Sequence, residues 1–244
     1  MLSPGARATA DTYWARFLGI APDRLRPAEP LVVPHAAALA GYSGAYLHGF
    51  DGAAPVISLP PSLLASDGER ITEAARGEWT DGGRWAALLG AAFAGAIGPA
   101  EVRYADRETF RPLAADEAVR LLGAEDAGAM DALRRACTPT EWDHGGSEIG
   151  YEPVAGAVAD GALAAVAGYE VWGGAIAHIG IVSHPDHRGR GLGAAAVSRI
   201  AAEALDRGLL AQYRTLEANT PSIAIAERLG FRPHSRSLSI RLAG

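Results

Sequence analysis

Residues 188–193 are a short run of glycines and arginines that could bind phosphate. They read Arg-Gly-Arg-Gly-Leu-Gly and stand directly before an alanine-rich segment of helical composition. Glycines let the main chain approach a ligand closely, and the start of a helix offers unpaired N–H donors with a partial positive charge. Arg188 and Arg190 add cationic donors beside them. The pattern predicts a cradle for the phosphates of a ligand.

One interpretation of this cradle is a dinucleotide site. Gly189, Gly191 and Ala194 fit the fingerprint G-x-G-x-x-A. Glu217 ends the next predicted strand, so the chain would be a nucleotide-dependent oxidoreductase. In the dinucleotide motif, however, the glycines follow the strand almost at once, whereas the strand predicted here ends near Val182. This interpretation is therefore the weaker one.

The same residues resemble the acyl-CoA motif of the GNAT N-acetyltransferase superfamily, (Q/R)-x-x-G-x-(G/A), which Arg188, Gly191 and Gly193 match. A second block resembles that family's N-x-x-(A/S) helix, with Asn219 and Ser222 at its start and a Leu-Gly-Phe end. The resemblance covers about residues 117–244. It implies a splayed mixed sheet in which acyl-CoA inserts between two parallel strands, here the strands ending at Val182 and Ala218.

The activity that the resemblance implies is N-acetyl transfer. The amine of a small molecule or peptide would attack acetyl-CoA directly, and backbone N–H groups freed where the strands part would hold the oxyanion. The residues implied to bind the cofactor are Ile181, Val182, Ser183, Arg188, Gly189, Arg190, Gly191, Leu192, Gly193, Asn219 and Ser222.

Acetyl transfer to an amine also calls for a base, and three residues are candidates for it: Glu170, His178 and Glu217. Glu170 is a carboxylate in an apolar strand, where burial could tune its pKa, but an exposed edge residue fits as well. His178 is of the type that titrates near neutral pH, although a lone strand histidine is more often structural. Glu217 is on the strand expected to flank the cofactor, and a structural ion pair would explain it equally.

The turn at Gly173-Gly174 predicts how two of these candidates are arranged. A two-residue hairpin turn pairs Glu170 with Ala177 and Tyr169 with His178. Side chains alternate along a strand, so Glu170 and His178 would then lie on opposite faces of the sheet. With that register they cannot line one pocket.

The sequence departs from the family pattern at one position. The resemblance places a tyrosine, which would protonate the leaving thiolate, three residues before Leu229, and this chain has Ala226 there. The departure supports a competing hypothesis, a non-catalytic acyl-CoA-binding or regulatory module.

These motifs require a mixed α/β fold (an α+β mixed sheet). In residues 117–244 the periodicity predicts a strand, a helix and a β-meander, then helix, strand, helix and strand, which matches a GNAT domain. Residues 1–116 are expected to form a smaller α+β half, whose content allows a degenerate GNAT-like domain. In that half Gly44–Phe50 and Pro55–Leu59 flank Asp51-Gly52 and predict a hairpin.

Composition excludes several other classes. There are 22 basic and 28 acidic residues, giving a net charge of −6, and every basic residue is arginine. This balance argues against nucleic-acid binding and mildly favours a cationic acceptor. His184 and His187 lack the helical context of a zinc motif, so no metal is expected, and no G-x-S-x-G elbow suggests a hydrolase.

The location is predicted from what the sequence lacks. Cys137 is the only cysteine, so no disulfide can form within the chain. The first residues lack the apolar run of a signal peptide, and the most apolar stretch is too short to span a bilayer. We therefore expect a cytoplasmic protein without membrane contact, either a monomer or a homodimer.

Overall fold

A computed structural model describes residues 1–145 and 153–243, without the side chain of His144. The mixed α/β class is confirmed. In these parts of the chain no helix is long and apolar enough to cross a bilayer. The helices and strands, in chain order, are α1 (Pro4–Leu18), β1 (Leu31–Pro34), β2 (Gly44–Phe50), β3 (Val56–Leu59), α2 (Pro61–Ala74), α3 (Gly82–Leu89), β4 (Phe93–Ala105), β5 (Val119–Leu121), α4 (Ala127–Ala136), α5 (Pro139–Gly145), β6 (Val154–Ala159), β7 (Ala162–Trp172), β8 (Ile176–Ser183), α6 (Leu192–Asp206), β9 (Leu210–Leu216), α7 (Thr220–Arg228) and β10 (Arg232–Leu242).

The chain divides into two compact units, and each is assembled from three separate segments. The first unit comprises Met1–Ala6, Tyr104–Tyr213 and Pro221–Arg232. The second unit comprises Arg7–Arg103, Arg214–Thr220 and Pro233–Gly244. Strand β10, near the end of the sequence, thus belongs to the same unit as residues 7–103.

The first unit contains the β-meander and the parallel strands. Strands β5 to β8 pair antiparallel in sequence order, and β9 joins β8 in parallel, as a crossover through α6 allows. The parallel register runs from Ile176 with Leu210 to Ile179 with Tyr213. Strand β8 then continues to Ser183 without a further parallel pair. The two strands therefore part after Ile179 and Tyr213.

The sheet of the first unit is covered on both faces. Helix α6 buries Ala196, Val197 and Ile200 in a cluster that includes Ile179 and Tyr213. On the other face α4 contributes Leu133 to a second cluster, which holds Val166 and Val182. Each cluster removes apolar side chains from water, the main favourable term in folding.

The hairpin of β7 and β8 has a different register from the predicted one. Glu170 pairs with His178, so the predicted pairing of Glu170 with Ala177 is wrong by one residue. The reason is the turn length: the paired strands end at Trp172 and Ile176 and leave a three-residue loop. Because directly paired residues share a face, Glu170 and His178 lie on the same face of the sheet.

The second unit is built on a sheet with the strand order β1, β3, β2, β10, β4. The predicted hairpin is confirmed, because β2 pairs antiparallel with β3 and Tyr46 lies opposite Ser58. Strand β10 pairs with the other edge of β2, from Ser235 opposite Phe50 to Arg241 opposite Gly44. One face of this sheet packs against α2 and α3; its buried apolar residues are Ala45, Leu47, Ile57, Leu59, Ile71, Ala75, Trp85, Leu89, Leu238 and Ile240.

The opposite face of the second unit holds a buried polar network beneath α1. The His48 ring is fully buried and contacts the Tyr46 hydroxyl at 3.1 Å and Ser235 Oγ at 2.7 Å. His234 bonds Asp11 at 2.9 Å. Burial opposes ionisation of Asp11, but hydrogen bonds from His234 and Arg26 outweigh it and hold the pKa of Asp11 at about 2.

We expect His48 to make the second unit sensitive to acid. Burial lowers the pKa of His48 well below its usual value, so the folded state keeps it neutral while the unfolded chain takes up a proton. The unit therefore keeps its full stability above the pKa that His48 has in the unfolded chain, and it loses stability as the pH falls below that value. Between about pH 7.5 and 5.5, the free energy of unfolding should fall by about 1.4 kcal/mol more in the wild type than in His48→Gln. Urea unfolding at both pH values measures this, and equal losses would contradict it.

Candidate functional site

The glycine-rich loop ends at the start of α6 in the geometry of an anion cradle. Gly191 is the N-cap residue, with φ 83° in the left-handed region that favours glycine. The first backbone bond of the helix runs from the Ala195 N–H to the Gly191 carbonyl at 3.1 Å. The N–H groups of residues 192–194 consequently lie outside the helical ladder, at the positive end of a 15-residue helix.

The cradle lies directly against the end of β8. A β-carbon at Gly193 would come 2.9 Å from Ser183 Oγ, closer than real β-carbons pack, and 3.1 Å from Ile181 Cδ1, a tight contact. The close approach of α6 to β8 therefore favours glycine at 193, because a larger residue would displace both side chains. It brings the cofactor residues predicted on the strand, 181–183, together with those predicted on the loop, 188–193.

Both arginines of the cradle are held by carboxylates. Arg188 donates to Glu141 at 2.6 Å, and Arg190 donates to Asp160 at 2.7 Å. Hydrogen bonds from Thr138 and then from Arg188 hold the pKa of Glu141 at about 2, and Arg190 lowers the pKa of Asp160. A phosphate ligand of this loop would compete with these acidic side chains for the guanidinium groups.

Asp160→Asn is expected to tighten the binding of a phosphate-bearing ligand, tested with acetyl-CoA, because it removes the negative charge paired with Arg190 near the loop. Asparagine also tolerates the φ of 54° at this turn position. Exposed ion pairs contribute up to about 1 kcal/mol, so the expected gain in affinity is at most about fivefold. Titration calorimetry at low salt measures it. Asp206→Asn, at the far end of α6, is the matched control, and an equal gain there would contradict the prediction.

A second group of polar side chains lies on the α4-side face of the sheet, where β8 and β9 part. His178 Nδ1 is 2.7 Å from Gln212 Oε1, and the two residues are cross-strand partners. Gln212 Nε2 donates to the Tyr104 hydroxyl at 2.6 Å. The Trp172 ring stacks on the His178 ring at 3.8 Å, and its indole N–H donates to Glu170 at 3.0 Å. The register of the hairpin thus brings two predicted base candidates together.

On the other face of the parted strands, Tyr213 contacts the start of α7. Its hydroxyl is 2.7 Å from Ser222 Oγ, one of the predicted cofactor residues. Burial raises the pKa of Tyr213 to about 12, so the phenol keeps its proton at neutral pH. Ala226, one helical turn after Ser222, is fully buried in the same core cluster.

The remaining candidates, Glu217 and Asn219, belong to the second unit. Glu217 follows the end of β9 and forms a two-point ion pair with Arg236, one contact of which is 2.7 Å long. Asn219 directly precedes α7 and donates its backbone N–H to the Leu216 carbonyl at 2.9 Å. The carboxylate of Glu217 is therefore already neutralised by an arginine.

Sequence analysis missed three members of the group around His178: Gln212, Tyr104 and Trp172. Of these three residues, Gln212 is the one that the sequence itself could have indicated, because its amide stands in an otherwise apolar strand from Leu210 to Tyr213. Across residues 1–145 and 153–243, no cluster of three His, Cys, Asp or Glu could hold a metal. His184 instead accepts from the Asp186 N–H at 3.2 Å.

Comparison with known proteins gives one family and several similar structures. Residues 124–231 match the model of the acetyltransferase (GNAT) family. A GNAT-family acetyltransferase from Colwellia psychrerythraea superposes with a TM-score of 0.54 at 14% identity, covering 100% of this chain and 98% of its own. A GCN5-related N-acetyltransferase from Kribbella flavida gives 0.50 at 16% identity, covering 98% and 96%. At these identities the likeness shows the fold.

A GNAT-family protein from Novosphingobium aromaticivorans is 26% identical over 62% of this chain and 67% of its own, with a TM-score of 0.49. None of the curated proteins matches the sequence.

Proposed function

We propose, from the match of residues 124–231 to the acetyltransferase (GNAT) family, that the chain transfers the acetyl group of acetyl-CoA to the amine of a small molecule or peptide. The proposal rests mainly on one observation, the separation of strands β8 and β9 after the pair Ile179 and Tyr213. The cradle of α6 lies against the end of β8 there, and His178 lies one residue before the last parallel pair.

The residues of this chain fit the phosphates of acetyl-CoA. The N–H groups of residues 192–194 and the guanidinium groups of Arg188 and Arg190 offer donors, and Gly191 leaves open space above them, with Arg228 Nη1 the nearest atom to a β-carbon at 4.0 Å. The backbone of Ile181, Val182 and Ser183 would pair with the pantetheine arm, while Asn219 and Ser222 would contact its side. When bound, acetyl-CoA supplies an acetyl thioester.

We assign the base to His178 rather than to the two carboxylates. Glu170 accepts the indole N–H of Trp172, and Glu217 is paired with Arg236. His178 is at the parting of the strands, on the face that is not covered by α6. A neutral imidazole also has a ring nitrogen with a lone pair that can take a proton from an amine.

In the proposed step the acceptor amine attacks the thioester carbonyl while His178 takes one of its protons. The new C–N bond forms as an oxyanion develops, and backbone N–H groups of β8 beyond Ile179 would stabilise it. The C–S bond then breaks and the electron pair leaves with sulfur. No acid is assigned on α7, because Ala226 has no proton to give. A thiolate can leave without one, since free thiols ionise at a pKa of about 8.5.

Titration calorimetry and a thiol-release assay test this function. Acetyl-CoA, free CoA and NADH are titrated first, and acetyl-CoA is then incubated with a panel of amino acids, polyamines, arylamines and peptides. We expect CoA binding, no NADH binding, and amine-dependent release of free thiol. CoA binding without turnover on any amine would favour a regulatory acyl-CoA-binding module. Absence of CoA binding would refute the proposal.

A further inference from the structure

Gln212 contacts the proposed base on the side away from its reactive nitrogen. Gln212 is fully buried, and His178 is 9% exposed. The amide nitrogen of Gln212 donates to the phenol oxygen of Tyr104, which is also fully buried. In this orientation the amide oxygen of Gln212 lies 2.7 Å from His178 Nδ1.

The orientation of this amide determines where the imidazole carries its proton. A carbonyl oxygen can only accept a hydrogen bond, so Nδ1 of the neutral ring must be the donor. Nε2 is then the nitrogen with the lone pair, the one able to take a proton from an amine. We infer that Gln212 is a positioning residue for this acetyltransferase: anchored by Tyr104, it holds His178 in the tautomer that makes Nε2 the base. The inference rests on the proposed function.

The plane of the ring is held by a second contact. Trp172 stacks on the imidazole with its ring centre 3.8 Å away and an angle of 19° between the planes. The Trp172 indole N–H is bonded to Glu170, so Glu170 orients the tryptophan. When His178 takes up a proton, the stacked indole also lies where it can stabilise the cation. Glu170 is thereby a positioning residue, not a second base.

Gln212→Leu and Gln212→Glu form a matched pair that tests the inference. Leucine is close in size but cannot accept from Nδ1, whereas glutamate keeps an acceptor there. We expect kcat to fall by about 10- to 100-fold in Gln212→Leu, with KM for acetyl-CoA unchanged, and most of the loss to be recovered in Gln212→Glu. Gln212→Met replaces the leucine variant if that protein does not fold. A leucine or methionine variant with wild-type kcat overturns the inference.

Glu170→Gln distinguishes positioning from proton transfer at that residue. Glutamine keeps an oxygen for the Trp172 indole but cannot act as a base, so kcat should fall by less than about fivefold. A loss of more than about 100-fold, the size expected for a missing base, would assign the proton transfer to Glu170 and overturn the inference.

Nitrogen NMR of histidine-labelled full-length protein supplies a readout that needs no substrate. The two ring nitrogens give different shifts when one is protonated, so the spectrum reports the tautomer directly. We expect His178 to be protonated on Nδ1 in the wild type and in Gln212→Glu, and to lose that preference in Gln212→Leu. A wild-type ring protonated on Nε2 overturns the inference. This measurement needs no turnover, so it can be made even if no amine in the panel is acetylated. A wrong tautomer assignment can therefore be distinguished from a wrong proposed function.

Discussion

The Gly191→Glu variant is expected to bind acetyl-CoA at least about 100-fold more weakly than the wild type. Gly191 has φ 83°, and a β-substituent there costs about 1–2 kcal/mol of backbone strain. The glutamate carboxylate would also enter a cradle that we propose holds pyrophosphate, where like charges repel in a partly desolvated site. Titration calorimetry with acetyl-CoA and with free CoA measures the loss.

Two further variants separate strain from charge. Gly191→Ala introduces the strain alone, because a β-carbon meets nothing closer than Arg228 Nη1 at 4.0 Å, and it should weaken binding by at most about 5- to 30-fold, the limit reached when the free loop relaxes and binding must restore the strained φ. Gly208→Glu adds the same charge at a glycine with φ 78° and open space around it, beyond the far end of α6. It should bind acetyl-CoA as the wild type does. Undiminished affinity in Gly191→Glu would refute the assignment of the cofactor site.

His178→Ala is expected to lower kcat by about 100- to 10,000-fold, the range for a lost general base, without changing the Kd for acetyl-CoA. The cofactor cradle lies on α6 and at the end of β8, so removing an imidazole from the middle of β8 leaves it in place. Added imidazole should restore part of the turnover, because the vacated space beside Trp172 can admit a free base. Steady-state kinetics with and without imidazole measure both effects.

Glu217→Gln is the matched comparison for this prediction. It removes the competing carboxylate but keeps a side chain of the same shape toward Arg236, and kcat should be nearly unchanged. If His178→Ala retains wild-type kcat while Glu217→Gln loses it, the base is misassigned. If both retain it, the amine reaches the thioester already deprotonated.

The glycine-rich loop and the start of α6 could be predicted from sequence because their information is local. Six consecutive residues, 188–193, specify the loop, and the helix they begin follows at once. The two arginines were also identified, but their partners Glu141 and Asp160 were not, because an ion pair across 47 or 30 residues leaves no periodic trace in the sequence. The position of the loop and its helix was therefore predicted more fully than the ion pairs of its arginines.

The arrangement of the proposed base could not be predicted from the same patterns. The hairpin register depends on whether the loop has two or three residues, and a pair of glycines permits both. One residue of difference moves Glu170 to the face of His178. Gln212 and Tyr104 are separated by 108 residues, and only the folded sheet brings them together. Base candidates were thus identifiable by residue type, while their relation to one another required the register.

The pairing of β2 with β10 has a consequence for the synthesis of this chain on the ribosome. Phe50 leaves the ribosome long before its partner Ser235 is made. At ordinary translation speeds the interval is roughly 10 to 40 s. Throughout it the backbone groups along one edge of β2 have no β10 to pair with, and an open strand edge is where nascent chains associate wrongly. The second unit can therefore be completed only after β10 has been synthesised, and a chaperone that covers β2 should raise the yield of native protein.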